Sequence, residues 1–266
     1  MSEIAAEFRA AYARHRAAEG RGYAGPALLS LPYLTSGPFA RQWAVRAKSF
    51  DGFMRLIVGP MAQTAGRPLD ILDLGAGNSW LSRRVAQQGH RATALDMRDD
   101  AVDGLGAAGA FLAEEPSLFA RCVASFDDIP AADSSFDIVL FNAALHYARD
   151  LPRVLAEAAR VTRSGGRLVI LDSPFYARDC DGAAMVREKQ AQAAQRFGAA
   201  ATTLLSLQPI EYLTPQRLAA ASQGLGLIWS RSRIRYPLWY EARPLLARLK
   251  GARRPSRFDL WSARRP

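Results

Sequence analysis

Apolar and polar positions change period several times along the chain. Over residues 69–74, Leu69, Ile71, Leu72 and Leu74 flank Asp70 and Asp73, a run too short for a helix and apolar enough for a buried strand. Gly75-Ala76-Gly77-Asn78-Ser79 follows as a small-residue turn, and residues 80–88 as an amphipathic helix. The alternation recurs: strands over 91–96, 118–123, 138–142 and 167–173, a regular helix over 149–162 and a glycine-interrupted one over 101–112. Ser164-Gly165-Gly166 reads as the turn between the 149–162 helix and the fifth strand. Further on, the pattern predicts helices over 182–197 and 214–223, the latter with Thr214 as cap and Pro215 at its first position. It predicts strands over 225–230 and 258–263, with an excursion containing Tyr236 to Tyr240 and a basic helix between them. Residues 199–213 follow no period. Strands alternating with helices predict an α/β fold, a doubly wound, mainly parallel sheet.

Ahead of the first strand, residues 2–19 have helical spacing, 20–38 read as a loop rich in Gly, Pro and Ser, and 38–61 as a second helix. That second helix is capped near Ser36 and ended by Gly59-Pro60. The expected organisation is a helical lid over residues 1–65 and a main domain over 66–266. Mere packing of the lid helices on the sheet is the competing reading.

The turn after the first strand allows two ligands. Gly75 and Gly77 fit the first two positions of G-x-G-x-x-G, but Trp80 stands at the third glycine. Asp73 directly precedes the turn; a carboxylate there repels a pyrophosphate and accepts hydrogen bonds from an ammonium group. Asp96 ends the next strand roughly 20 residues after the glycines, the interval at which an acidic side chain meets a ribose diol. Met97, beside it, could lie against a base.

Composition narrows the setting. The chain has 266 residues, 49% of them hydrophobic, and a formal net charge of +10, as expected of one globular domain with decorations. No apolar run approaches the roughly 20 residues of a membrane span. The first residues carry charges throughout and lack the apolar segment of a secretory signal. Cys122 and Cys180 form neither a disulfide framework nor a metal cluster, with Cys122 expected to be buried in a strand. A cytoplasmic location is the expectation. After Tyr240 the chain is basic, a surface that attracts nucleic acid, anionic lipid or an acidic substrate, or is simply solvated.

Ile71-Leu72-Asp73-Leu74-Gly75-Ala76-Gly77, Leu95-Asp96, Phe136-Asp137-Ile138-Val139 and the run from Val161 to Ile170 resemble the successive motifs of class I S-adenosyl-L-methionine (SAM)-dependent methyltransferases. The flavour is that of the type 11 group, which includes quinone C-methyltransferases. The resemblance covers about residues 70–173 and implies a Rossmann-like, seven-stranded sheet with SAM as cofactor. It places Asp73 and the Gly75, Ala76, Gly77 and Asn78 turn on the methionine moiety and Asp96 on the ribose. Relatives carry an acidic residue after the third strand; here Ser125 stands there with Phe126 beside it, and Asp127 or Asp128 could substitute. Asn142 and Ala143 flank the methyl group by the same resemblance.

Of three histidines, His146 alone lies just past the fourth strand, where an imidazole could act as a base or as a structural hydrogen-bonding group. Tyr33, Tyr147, Tyr176 and Asp172 are the acceptor-side candidates. The run Asn142-Ala143-Ala144-Leu145 lacks the signature of base amino-methyltransferases. Neither cysteine has the setting of a cytosine C5 nucleophile, and no His/Asp/Glu cluster suggests a metal. The expected activity is methyl transfer from SAM to a small-molecule or lipid-like acceptor. The alternatives are an RNA-directed methyltransferase and a non-catalytic SAM-binding protein, with a nicotinamide-dependent reductase the weakest reading.

Overall fold

The computed structural model describes residues 23, 25–113, 115–197 and 209–266. The helix expected over residues 2–19 lies outside them. Seven strands form one sheet in the order β3-β2-β1-β4-β5-β7-β6. They are β1 (Asp70–Leu74), β2 (Arg91–Asp96), β3 (Ala120–Val123), β4 (Phe136–Asn142), β5 (Thr162–Leu171), β6 (Ile228–Ser232) and β7 (Leu260–Arg264). The pairs among β1 to β5 are parallel, and β7 runs antiparallel between β5 and β6. The strand order reverses between β1 and β4, the place where an open α/β sheet leaves a crevice beyond the strands' carboxyl ends.

The side-chain alternation of the central strands feeds two cores. Ile71, Ile138 and Leu140 join one apolar cluster, while Leu72, Leu74, Val139 and Phe141 join another, as the period of two requires when both faces are covered. The first cluster receives α2 (Ala40–Phe53) and α4 (Trp80–Ala86), whose Trp43, Phe50 and Trp80 meet edge to face. The second receives α6 (Leu151–Val161), which buries Val154, Leu155 and Ala158. Asp150 starts α6 by accepting a hydrogen bond from the Arg153 amide.

Three stretches differ from the sequence reading. Residues 25–30 form a short helix, α1 (Gly25–Ser30), because the Gly and Pro expected to break structure stand at its start and Leu28 is buried below. Gly59-Pro60 does not end the second helix. The chain passes through a π turn, Met54–Val58, in which the Gly59 amide reaches the Met54 carbonyl, and continues as α3 (Gly59–Ala65) to Gly66 in the left-handed region. The wider turn accommodates a proline that lacks an amide. Ser36 does not cap this helix, whose first position follows Phe39 with no side-chain cap. Ser164-Gly165-Gly166 makes no turn. α6 runs straight into β5, and the three residues lie within that strand beside a register shift between Phe136 and Ile138. Cys122 is half-buried rather than buried.

The remaining elements are α5 (Gly109–Leu112), after a 3-10 turn at Leu105–Ala108, α7 (Asp179–Phe197), α8 (Pro215–Ala221), α9 (Leu238–Glu241) and α10 (Arg243–Leu249). Thr214 caps α8 as expected. Among the described residues no helix is long and apolar enough to cross a membrane, and no His, Cys, Asp and Glu group could hold a metal ion.

At the strands' amino ends a charge network ties β1, β4 and β5. Asp137 accepts two hydrogen bonds from Arg67 and one from the Asp70 amide, each at 2.8 Å, and pairs with Arg163 at 2.9 Å. Against the cost of its burial, these partners hold its carboxyl down at about 2. A depressed carboxyl adds stability that is present above the unfolded value of 3.8 and is lost as pH falls through about 2. Because the arginines are partly solvated, Asp137→Asn should cost about 1 kcal/mol at pH 7. Urea melts of both proteins should converge as pH is lowered from 4 toward 2.

Candidate functional site

The carboxyl ends of β1, β4 and β5 carry a set of buried polar atoms without a hydrogen-bond partner among the described residues: Asp73 Oδ1, Asn142 Oδ1, His146 Nδ1, Asp172 Oδ2 and Ser173 Oγ. Pairing of Leu74 with Phe141 and of Asn142 with Leu171 brings these ends to neighbouring levels. Buried polar groups are nearly always paired, so a row of such atoms at the crevice marks a place built for a polar ligand.

Asp73 is 1% exposed. Its Oδ2 accepts from Ser82 Oγ at 2.9 Å, and the Ser82 amide also serves it. Burial, with the Asp96 charge in support, pushes its carboxyl up to about 7 against those hydrogen bonds. The turn beyond it is held from β2. The Gly75 and Ala76 amides donate to the Leu95 carbonyl at 2.8 and 3.0 Å, and the Gly77 amide donates to Asp96 Oδ2 at 2.8 Å. The Trp80 amide turns to Asn78 Oδ1 at 3.3 Å. The Gly75, Ala76, Gly77 and Trp80 amides are therefore engaged within the protein, and the Asp73 carboxyl lies at the start of α4. Asp73 Oδ1 is left as an unpartnered acceptor, whose charge suits a cation and repels a phosphate.

Gly75 is needed for a close approach. A Cβ on it would lie 2.5 Å from the Ala144 Cβ and 3.8 Å from the Phe126 ring, and its φ is +71°. Ser79 takes a left-handed backbone, φ 63°, fully buried, between turn and helix.

Asp96 accepts from the Gly77 amide through Oδ2 and from the Arg98 amide through Oδ1 at 2.9 Å. Each oxygen keeps a lone pair. Burial raises its pKa despite those amides. Met97 is among the exposed large apolar residues. Ser125, Phe126 and Asp127 follow β3, which pairs with β2, and all three are half-buried. Phe126 packs edge to face on Phe141, and the Asp127 carbonyl accepts from Arg153. Ala143 has φ 54°, its amide bound to the Leu171 carbonyl, which ends β4 beside β5.

His146 keeps some accessible surface, yet its Nδ1 is sealed. Burial first, then the charges of Lys189 and Arg46, hold its pKa down to about 3. A base that weak removes a proton poorly at neutral pH. The geometry suits a neutral hydrogen-bonding imidazole, its ring tilted by 38° against Tyr147 with centroids 4.3 Å apart.

The other tyrosine candidates have different surroundings. Tyr33 donates to Asp51 at 2.9 Å and lies under Arg84. Tyr176 is buried against Tyr212 and takes a hydrogen bond from Arg253 at 3.1 Å. Neither contact is with the row of unpartnered atoms.

Asp172 was a candidate from the sequence, but its partners Ser49 and Tyr236 had no signal there. Asp172, at φ 50° just past β5, accepts from Ser49 Oγ of α2, and Ser49 meets the Tyr236 hydroxyl at 2.8 Å. Tyr236 in turn donates to the Phe258 carbonyl. Burial raises the Asp172 pKa, with Arg46 and Ser49 opposing. The partners are 123 and 187 residues apart, so only the fold brings them together.

This sheet, crevice and row of strand-end polar groups define the fold of class I methyltransferases. Residues 72–170 carry a methyltransferase domain, matching the family model of that description. The chain is similar to a malonyl-[acyl-carrier protein] O-methyltransferase of Erwinia pyrifoliae, 32% identical over 39% of this chain and 37% of that protein. It is similar to an uncharacterised methyltransferase of Mycobacterium bovis, 38% identical over 37% of each. The chain thus spans less than two fifths of the length of these curated relatives. Among solved structures, geranyl diphosphate C-methyltransferase from Streptomyces coelicolor, crystallised with Mg2+, geranyl diphosphate and S-adenosyl-L-homocysteine, superposes with a TM-score of 0.63. It covers 100% of this chain and 98% of that one, at 13% identity. A Burkholderia thailandensis 1,6-didemethyltoxoflavin-N1-methyltransferase, with S-adenosylhomocysteine bound, gives 0.55 at 18% identity, over 99% and 89%.

A carboxyl raised by burial favours the folded state only while protonated; stability is lost as pH rises from the unfolded 3.8 toward about 7. Asp73→Asn should therefore stabilise the ligand-free protein by about 2 kcal/mol at pH 8. Thermal melts of the two proteins should coincide below pH 4, where both carboxyls are protonated.

Proposed function

We propose that the protein is a SAM-dependent methyltransferase acting on a small-molecule or lipid-like acceptor. The observation that carries this reading is the sealed, unpartnered Asp73 Oδ1 beside an internally satisfied glycine turn. A group with an ammonium and no phosphate fits there. Asp73 holds the amino-acid end, aided by the Gly75–Gly77 turn, and the spare lone pairs of Asp96 take the ribose hydroxyls. Met97, Ser125, Phe126 and Asp127 line the base. Asn142 and Ala143 flank the sulfur.

The cofactor supplies an electrophilic methyl on a positive sulfur. What the chain supplies is alignment of the acceptor opposite the carbon–sulfur bond and exclusion of water. His146 Nδ1 and Asp172 Oδ2, both unpartnered among the described residues near the strand ends, are assigned as positioning groups for a donor on the acceptor. The N-terminal helices act as the lid. α2 reaches over the strand ends through Ser49 to Asp172, and its Arg46 charge acts on both Asp172 and His146.

Isothermal titration should show stoichiometric binding of S-adenosylhomocysteine, weakened about tenfold or more in Asp96→Ala. A labelled-methyl screen over organic acids, phenols and lipids should then find an acceptor. Binding without transfer to any of them would favour the non-catalytic reading, and absence of binding would contradict the proposal outright.

A further inference from the structure

Five of the eleven exposed large apolar residues among those described fall within residues 238–249, on the excursion between β6 and β7. Leu238 is 88% exposed, Leu249 75% and Leu245 60%, with Leu246 and Trp239 beside them. Leu245, Leu246 and Leu249 stand at i, i+1 and i+4 of α10 and share one side of it.

The excursion is firmly built. Tyr240 is buried and accepts from the Phe258 amide at 3.0 Å, and Arg243 stacks on its ring. Arg257 clamps Glu241 through two hydrogen bonds. These inner arginines serve the fold. By contrast, Arg248 and Lys250 are exposed beside the leucines and make no ion pair among the described residues. The surface thus couples protruding aliphatic side chains to unneutralised positive charge, on a chain whose net charge is +10.

We propose that this face docks on an anionic lipid bilayer. Leucines that project this far need a partner with a matching pocket if the partner is a rigid protein, whereas a hydrocarbon layer accepts them without one. The aliphatic groups offer nucleic acid bases no stacking platform, and the one aromatic of the patch, Trp239, has Arg41 over its ring. A short amphipathic helix with leucines on one side and cations beside them is the arrangement that inserts at a headgroup boundary. Tyr236, at the root of the excursion, is joined through Ser49 to Asp172, so the excursion is anchored to the end of β5. The docking rests on the surface alone and stands apart from the methyl-transfer reading.

The test is flotation of the full chain with phosphatidylcholine vesicles, with and without about 30% phosphatidylglycerol, where each basic residue near such a surface adds about fivefold in affinity. The wild type should float with the anionic vesicles alone. Arg248→Glu/Lys250→Glu should bind about thirtyfold more weakly or worse. Leu245→Ser/Leu249→Ser should bind at least about tenfold more weakly, with unchanged thermal melting as the check on folding. Failure of the wild type to float, or equal flotation of the leucine variant, would overturn the proposal. So would a dimer in size-exclusion chromatography that the leucine variant converts to monomer without any vesicle binding, which would assign the face to a second copy. Binding of S-adenosylhomocysteine is measured separately, so its loss would count against the methyl-transfer reading and not against docking.

Discussion

One carboxylate organises the crevice. Asp73 is buried at the end of β1 with one oxygen satisfied by Ser82 and the other left bare. Leaving a buried acceptor unmatched is costly, and the like charge of Asp96 nearby adds to the cost. The structure tolerates it because β1 is locked in the centre of the sheet and because the glycine turn is held from β2 through Leu95 and Asp96. The same hydrogen bonds that fix the turn also occupy its amides. The proposed cation preference of the crevice rests on this arrangement, although its chain path resembles that of a dinucleotide site.

The end of β5 is organised differently. There, Asp172, Ser49 and Tyr236 join β5, α2 and the segment after β6 in one hydrogen-bonded chain. Three pieces of the sequence that share no motif converge on the end of β5. A shift of α2 is thus felt at Asp172 directly, and the excursion that carries the exposed leucines is tied to the same point. Burial, aided by the charges of Lys189 on α7 and Arg46 on α2, keeps His146 neutral.

Much of the sheet could be anticipated because β1, β2 and β4 are short apolar runs with polar ends, and their order follows from right-handed crossovers. Residues 91–96 coincide with β2. Asp73 and Asp96 were visible as acidic residues at strand ends. What the local pattern hides is use of the same groups elsewhere. The amides of Gly75 and Ala76 look free in a motif and are bound by Leu95. Gly59-Pro60 looks like a stop and is absorbed by a π turn. Tyr33 and Tyr176 look like pocket aromatics because loops favour that reading, yet their hydroxyls are engaged by Asp51 and Arg253. Ser49 and Tyr236 carry no signal at all, since their partners are far away in sequence.

The most direct measurement compares two ligands that share adenosine and a thioether and differ in the amino-acid end: S-adenosylhomocysteine and 5′-methylthioadenosine. By titration calorimetry the wild type should prefer the former by about a hundredfold, the order expected for a charge-assisted contact in a buried site, and Asp73→Asn should abolish most of that preference while leaving 5′-methylthioadenosine affinity nearly unchanged. Equal affinity of the wild type for both ligands, or a preference that survives the substitution, would contradict the role given to Asp73.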